Sequence, residues 1–306
     1  KSMIYTIVAT NDKGDSVELD LANPWAGGIA VVGASGLGPA DGTINTVDFA
    51  TSDGALFNSS RIKSRDIELN LKFLGSDIEE VRHRLLRYFR VKHPIMLDFI
   101  TDYRHTYITG HIEKNEIDIF SNSEGADLTI VCPDPFFKLR DPAKGKNSVR
   151  FTTSTPSFQF EFEDPNADSP TLIFGDITST GETVVVYDGD ADASTVVDIQ
   201  FLGPATGVKL YNTTTQTRIN IDTNEIARLL GSAIQAGDRL SISSGVGNKY
   251  VKAYRDGRVY NALSALDKGS DWIFLTPGDN LITVRADTGI DNVSAIISFE
   301  NLYESI

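Results

Sequence analysis

The sequence predicts a mainly β protein in two parts, an α+β module with one main helix followed by a β-sandwich. Three observations support this prediction. Residues 66–73 alternate strictly between polar and apolar side chains, as a half-buried antiparallel strand does. Residues 77–91 have helical spacing over several turns. Residues 151–306 consist of short alternating segments separated by turns, a pattern typical of a sandwich.

The predicted domain boundaries follow from a break in this periodicity. Residues 134–150 contain Pro135, Pro142 and a lysine-rich turn, which interrupt both the strand and the helix patterns. We therefore expect a first domain at 1–133, a linker at 134–150 and a second domain at 151–306. A chain of 306 residues is long enough for two domains that each bury a core.

The first domain is predicted to consist mostly of strands. Asp12-Lys13-Gly14 is a suitable hairpin turn. In residues 66–73 the inward side chains are Ile67, Leu69, Leu71 and Phe73. Further strands are expected at 3–8, 16–21, 95–100, 107–112, 117–120 and 127–132.

The predicted helix at 77–91 has a start signal and an apolar face. Ser76 and Glu79 have the spacing of a capping box, and Pro94 prevents the helix from continuing. The apolar positions expected to pack on the sheet are Ile78, Val81, Leu85 and Phe89. The remaining helix surface is covered by Arg82, Arg84, Arg87 and Arg90.

Residues 27–64 lack a clear periodicity. Several glycines interrupt the segment, which holds short strand candidates such as residues 43–49. We expect a long exposed hairpin or loop, and segments of this kind are usually functional or disordered. Gly33-Ala34-Ser35-Gly36-Leu37-Gly38 does not match a dinucleotide-binding loop, because the glycine spacing is reversed and no helix follows.

The second domain is predicted to be β throughout, with one short helix at 224–230. Phe158, Phe160 and Phe162 alternate with polar residues. Asp256-Gly257 is a favoured type I′ hairpin turn. Further strands are expected at 183–187, 195–202, 208–211, 218–221 and 281–286.

Charge and cysteine content limit the class of protein. The net charge is −14; residues 151–306 hold 10 basic and 21 acidic side chains, a balance of −11, whereas residues 61–92 hold 9 basic and 5 acidic, a balance of +4. An acidic protein neutralises phosphates poorly, so we expect no specific nucleic-acid partner. No apolar run approaches the roughly 20 residues that span a bilayer, so we expect no membrane partner. Cys132 is the only cysteine, which is consistent with a reducing cytoplasm.

The sequence assigns no catalytic, cofactor or metal residue. None of the four histidines has zinc-ligand spacing, and no Gly-x-Ser-x-Gly motif is present. Asp188-Gly189-Asp190-Ala191-Asp192 starts like an EF-hand loop, but Ala193 and Ile199 replace the required glycine and carboxylate. This segment is either a solvated acidic turn or a weak Ca²⁺ site. We therefore predict a protein that is not an enzyme and needs no cofactor.

Two groups of motifs occur in a characteristic order. The first runs from Arg65-Asp66-Ile67-Glu68-Leu69 through the helix to Cys132-Pro133-Asp134-Pro135-Phe136-Phe137. The second runs from Gly237 to Tyr303 and includes Trp272 and Pro277-Gly278-Asp279-Asn280. This order resembles the distal tail proteins of long-tailed bacteriophages, the siphovirus-type tail component family. Residues 27–64 and 164–198 match less clearly.

The resemblance implies a structural virion protein of the tail tip. In that family the N-terminal domains form a homohexameric ring between the tail tube and the tail-tip hub. The C-terminal domains are galectin-like sandwiches that project outward. Partners would be copies of the same chain, the tail tube protein, the hub protein and a receptor-binding protein. Assembly would take place in the cytoplasm of the host bacterium.

Two surfaces are candidate binding sites. The arginines Arg82, Arg84, Arg87 and Arg90 form either an ordinary solvated helix face or a contact with an acidic neighbouring subunit. Alternatively, the second domain is a carbohydrate-binding module for cell-surface glycans, with a stacking surface built from Trp272, Tyr250, Tyr254 and Tyr260. A cell-wall hydrolase is a third interpretation, which no constellation of residues supports.

Overall fold

The computed structural model describes residues 4–49, 51–118, 120, 124–140, 145–152, 155–157, 176–178 and 181–306. The chain forms two compact units. The first contains Lys1–Gly145 together with Leu302–Ile306, and the second contains Lys146–Asn301. The mainly β fold class predicted from the sequence is confirmed.

The first unit consists mainly of strands. They are β1 (Ile4–Asn11), β2 (Ser16–Asp20), β3 (Ile29–Ser35), β4 (Gly42–Asp48), β5 (Ala55–Ile62), β6 (Arg65–Phe73), β7 (Pro94–Thr101), β8 (His105–Asp118), β9 (Gly125–Cys132), β10 (Phe137–Leu139) and β24 (Leu302–Tyr303). The helices are α1 (Pro24–Gly27) and α2 (Ile78–Tyr88). Seven strands form an antiparallel sheet in the order β2-β1-β7-β8-β9-β6-β3, and β10 joins it at β8 while β24 pairs with β10.

The core of the first unit is formed by alternate residues of these strands. In β6 every second side chain from Arg65 to Phe73 is buried, and the side chains between them are exposed. This pattern is typical of an antiparallel strand with one solvated face. Leu85 and Phe89 bring the apolar face of α2 into the same core. The inward residues predicted for this strand and helix are therefore correct.

Helix α2 begins and ends differently from the prediction. Asp77 is the N-cap, and its side chain accepts a hydrogen bond from the backbone N–H of Glu80 at 3.0 Å. The predicted capping box of Ser76 and Glu79 is wrong by one position, because aspartate is an equally favoured N-cap. The helix ends at Tyr88, before the Pro94 that the prediction used as a stop.

Two predicted strands, 107–112 and 117–120, lie largely in the single long strand β8. Its first half pairs with β7 and its second half with β9. The register with β9 shifts between Ile112 and Lys114. An irregularity of this kind interrupts the alternation from which strands are predicted, so the sequence predicts two strands where the structure has one.

The chain leaves the first unit and later returns to it. Residues 134–150 were predicted as a linker, but Phe137 is fully buried and pairs with Tyr303 of β24. Lys138 pairs with Tyr107 of β8. The structure therefore divides the chain after Gly145 and again after Asn301. The two prolines predict a break, whereas Phe137, which lies between them, belongs to the core.

Residues 27–64 combine a strand of the main sheet with an exposed hairpin. Strand β3 pairs with β6, with a register shift between Val31 and Gly33. Strands β4 and β5 pair only with each other among the described strands. The expected exposed hairpin is thus present at residues 42–62. Strand β3 is not predicted from the sequence, because the register shift between Val31 and Gly33 interrupts the alternation of polar and apolar residues.

The second unit is also built from strands. They are β11 (Lys146–Thr152), β12 (Thr155–Ser157), β13 (Asp176–Thr178), β14 (Glu182–Tyr187), β15 (Ala193–Phe201), β16 (Lys209–Asn212), β17 (Thr217–Asn220), β18 (Arg239–Gly245), β19 (Asn248–Arg255), β20 (Arg258–Asn261), β21 (Phe274–Leu275), β22 (Gly278–Arg285) and β23 (Val293–Glu300). Helix α3 spans Thr223–Leu230, and 3₁₀ turns span Leu263–Ala265 and Ile290–Asn292.

Two sheets of the second unit form the predicted sandwich. One has the order β11-β23-β15-β18-β19-β20, with β21 added beside β15, and the other has the order β14-β22-β16-β17. Tyr187 of the smaller sheet meets Phe299 of the larger one edge to face, with ring centroids 5.8 Å apart. The predicted alternation of Phe158, Phe160 and Phe162 lies outside the described residues.

Candidate functional site

Two of the predicted interface arginines, Arg82 and Arg84, donate hydrogen bonds to acceptors of the first unit. Arg82 donates a hydrogen bond to Glu79 Oε1, one turn earlier, at 2.9 Å. Arg84 donates to the carbonyl oxygen of Gly27, the last residue of α1. Arg84 therefore satisfies a carbonyl group at the end of a helix, a structural role that explains why its side chain is partly buried.

The other two arginines differ from each other. Arg90 lies 3.3 Å from Asp12 and 2.9 Å from His93 Nδ1. The hydrogen bond from His93, together with the charge of Arg90, lowers the pKa of Asp12. Arg87 is exposed and has no hydrogen-bond or ion-pair partner in the part of the chain that the structure describes. Of the predicted interface arginines, Arg87 alone is a free cation within these residues.

The β4–β5 hairpin carries apolar side chains on both faces. Residues directly opposite each other in antiparallel strands share a face, and the register places Thr46 opposite Phe57 and Val47 opposite Leu56. One face therefore has Ile44, Phe57 and Ile62, and the other has Val47 and Leu56, with Phe49 next to the strand end. These side chains are between 43% and 68% exposed.

This hairpin exposes several large apolar side chains to solvent. Within the hairpin, Asn45 donates to Ser59 Oγ at 2.9 Å. Every residue of β5 is exposed. Isolated two-stranded hairpins are marginally stable in water, and large contiguous apolar patches on monomers usually mark binding surfaces. The hairpin is therefore the strongest candidate for a protein contact in the first unit.

Arg65 is a buried cation that holds separate segments of the first unit together. Its guanidinium group donates to the carbonyl oxygens of Gly36, Gly38, Pro135 and Glu304. The group also lies 4.6 Å from the ring centroid of Phe137. Burial lowers the pKa of Arg65. Sequence reasoning missed this role, although the alternation of β6 extended one residue earlier would have placed Arg65 on the inward face.

The glycine-rich segment 33–38 consists of the end of β3 and the residues that follow it beside Arg65. Gly36 has a φ of 77°, and a Cβ atom there would lie 2.0 Å from the carbonyl oxygen of Asp66. Only glycine is compatible with this approach. The glycines therefore serve close packing and the Arg65 hydrogen bonds.

The aromatic residues suggested for glycan stacking do not share one surface. Tyr260 lies opposite Ala253 in the register of β19 and β20, so it is on the other face of the sheet from Tyr254. The ring centroid of Trp272 lies 5.4 Å from Lys249 Nζ. Lys249 is five residues from Tyr254, about 17 Å along the strand. A single stacking surface of Trp272, Tyr254 and Tyr260 is therefore not formed.

The single cysteine and the acidic turn at 188–192 do not form a reactive or metal-binding site within the described residues. Cys132 is fully buried, and burial raises the pKa of its thiol to about 12. Asp188, Asp190 and Asp192 are exposed. Within the described residues, no group of three or more His, Cys, Asp or Glu side chains could hold a metal ion. No described helix is long and apolar enough to cross a bilayer.

Two family models match the chain. The model described as "Phage tail protein RIFT-related domain" matches residues 31–153. The model described as "Siphovirus-type tail component, C-terminal domain" matches residues 188–303. The chain belongs to the siphovirus-type tail component family. The resemblance seen in the motifs is thereby confirmed, and this tail component has a structural role in the phage tail.

The siphovirus-type tail component shares its fold with a solved phage protein. The crystal structure of SPP1 Dit (gp 19.1) matches with a TM-score of 0.59 and 15% sequence identity, covering 96% of this chain and 98% of that chain. Structures of the phage P2 baseplate in its activated conformation, with Ca and with Sr, match at 11% identity with TM-scores of 0.44 and 0.42. These cover 100% and 99% of both chains, respectively. No curated protein matches the chain.

Proposed function

We propose that this tail component forms a closed homohexameric ring at the tail tip, between the tail tube and the tail-tip hub. SPP1 Dit, whose fold it shares, is described as a paradigm of the hub adsorption apparatus in phages that infect Gram-positive bacteria. The proposed role is geometric. The ring presents one face to the tube and another to the hub and the receptor-binding proteins, and no step requires a catalytic group.

The β4–β5 hairpin is the observation that supports ring formation. A ring of identical subunits needs head-to-tail contacts, in which two different surfaces of one chain meet. The apolar faces of the hairpin supply one of these surfaces, and the neighbouring copy supplies the other. Full burial of a large apolar side chain contributes about 1.5–3 kcal/mol, so several such residues stabilise a subunit contact substantially.

A double variant tests this contact. Leu56→Ser with Phe57→Ser removes one apolar side chain from each face of the hairpin. We expect light scattering to show rings for the unmodified chain and monomers for the variant. The matched control is Val246→Ser, which removes an apolar side chain that is 90% exposed on the second unit. We expect this control to assemble normally.

Two outcomes would contradict the proposal. A wild-type chain that stays monomeric at high concentration would count against the ring itself. Normal assembly of the hairpin variant would show that the subunits meet elsewhere. Matching circular-dichroism spectra of the variant and the control would show that both are folded, and negative-stain images of the wild type would show the number of subunits.

A further inference from the structure

A pocket opens on the outer face of the four-stranded sheet in the second unit. Its volume is about 360 Å³. The side chains that determine its chemistry are Tyr211, Gln216, Arg218, Thr283 and Arg285. They come from β16, β17, β22 and the turn between the first two of these strands.

Strand register explains why these side chains converge. Tyr211 lies opposite Arg218 on one side and Thr283 on the other, so the three share a face of the sheet. Arg285 follows Thr283 by two residues and is on the same face. Its guanidinium carbon is 5.9 Å from the ring centroid of Tyr211. The alternate residues are buried in the core: Leu210, Ile219 and Val284.

Neither arginine of the pocket has a carboxylate partner among the described residues. Two other arginines of the second unit differ in this respect. Arg228 pairs with Glu225 at 2.7 Å, and Arg255 pairs with Asp238. Residues 151–306 hold 21 acidic side chains against 10 basic ones, so carboxylates are not scarce. Two unpaired guanidinium groups in one concave site are suited to bind an anion.

Other charged groups near the pocket are paired or lie outside its lining. Lys209 Nζ binds Asp287 at 2.7 Å. Glu182 of β14 lies directly opposite Thr283 and shares its face of the sheet, but Glu182 is not part of the pocket lining. Asp271 donates its backbone N–H to the carbonyl oxygen of Arg218 at 2.7 Å, but its carboxylate is not part of the pocket lining. None of these carboxylates lines the pocket. The positive charge of the two arginines is therefore available to a ligand.

We propose that this pocket binds an anionic saccharide, a sugar that carries a carboxylate or phosphate group. The sugar ring packs on Tyr211, because an aromatic ring presents an apolar face. Arg218 and Arg285 bind the anionic group, since guanidinium donors match the geometry of carboxylate and phosphate oxygens. Gln216 and Thr283 hydrogen-bond to sugar hydroxyls. This site is independent of ring assembly and differs from the aromatic residues that the sequence suggested.

Size and charge favour this ligand over two others. A site of about 300–1,000 Å³ is typical for small molecules, and the pocket lies in that range. A nucleic-acid strand needs a continuous basic groove, whereas this half of the chain is acidic. An acidic peptide would pair with the arginines but would leave the face of Tyr211 and the hydroxyl-binding groups unused.

Matched charged and neutral probes test the proposal on the full chain. We would titrate glucuronate, glucose 1-phosphate and glucose by ligand-detected NMR. The charged sugars should bind at least about tenfold more tightly than glucose, as expected for charge-assisted hydrogen bonds. The better of the two charged probes identifies the preferred anionic group. Arg218→Gln and Arg285→Gln should each weaken that binding about tenfold.

The control is Arg258→Gln, which changes an exposed arginine at the start of β20 and should leave the affinity unchanged. Equal affinity for charged and neutral sugars would overturn the proposal, as would unchanged binding in both pocket variants. Tighter binding of an N-acetylated glutamate amide than of either charged sugar would assign the pocket to an acidic peptide and would also overturn it.

Discussion

Arg65 illustrates how much one buried side chain contributes to the first unit. Replacement by methionine keeps an apolar stem but removes every donor to the four carbonyl groups. Breaking a buried charged interaction and leaving its partners unsatisfied costs about 3–5 kcal/mol. We expect Arg65→Met to lower the free energy of unfolding by about 3 kcal/mol or more.

Labelling of Cys132 by a thiol reagent in increasing urea measures this effect, because the thiol is buried in the first unit and is the only one in the chain. Arg258→Met, at an exposed position at the start of β20 in the second unit, is the control. A loss below about 0.5 kcal/mol, the usual effect of a surface change, would contradict the structural role of Arg65.

Arg84 and Arg87 separate a folding role from an assembly role. Arg87→Glu reverses an exposed charge and should weaken the ring, because like-charge contacts disfavour association, without changing the melting temperature of the dilute monomer. Arg84→Glu should lower the melting temperature, since the Gly27 carbonyl loses its donor. Light scattering and thermal melts of both variants check this. Normal rings from Arg87→Glu would leave the basic helix face as an ordinary solvated surface.

Individual site residues could be predicted only in part. The alternation of β6 correctly placed its apolar residues inward, because burial on one face leaves a period of two in the sequence. The four arginines of the predicted helix at 77–91 look equivalent in the sequence, and only tertiary contacts distinguish Arg84 from Arg87. Tyr254 and Tyr260 also look like neighbours in the sequence. The register of the β19–β20 hairpin, which the sequence does not show, places them on opposite faces of the sheet.

At the scale of elements, the start of α2 offers a direct comparison between two neighbouring residues. Asp77→Ala removes the side chain that caps the helix and should cost about 1 kcal/mol of stability. Ser76→Ala should stay within about 0.5 kcal/mol, because Ser76 is outside the cap. Urea denaturation of the two variants measures the difference. A larger effect at Ser76 would restore the capping box that the sequence suggested.

Elements with a regular period were predicted, and elements with an irregularity were not. The face of α2 and strand β6 follow simple spacing rules. By contrast, β3 and β8 contain register shifts, and each shift moves the apolar side chains out of phase. The β4–β5 hairpin is apolar on both faces, so no alternation marks it. The sequence of this segment therefore predicts only a loop or hairpin, without a defined surface.

At the scale of the whole molecule, the first unit depends on residues far along the chain. Residues 302–306 supply β24, which pairs with β10, and the Glu304 carbonyl that binds Arg65. Ending the chain after Asn301 should therefore destabilise the first unit and leave the strands of the second unit protected. Hydrogen exchange followed by mass spectrometry measures both units in one experiment.

A matched truncation after Glu304 keeps β24 and that carbonyl. It should cause a smaller loss of protection in β10 and β8 than the truncation after Asn301. Equal protection of the first unit in the wild type and in the chain that ends after Asn301 would show that residues 302–306 are dispensable for this unit.

The return of the chain to its first unit also sets an order of events during translation. Domains generally fold as they leave the ribosome, the earliest part first. Here β10 emerges more than 150 residues before its partner β24. The intervening sandwich is released while the earlier unit still lacks a strand and one of the acceptors for its buried guanidinium. A nascent chain stalled before residue 302 would therefore expose the edge of β10 that β24 covers in the complete unit. A chaperone that binds this intermediate would meet that open strand edge.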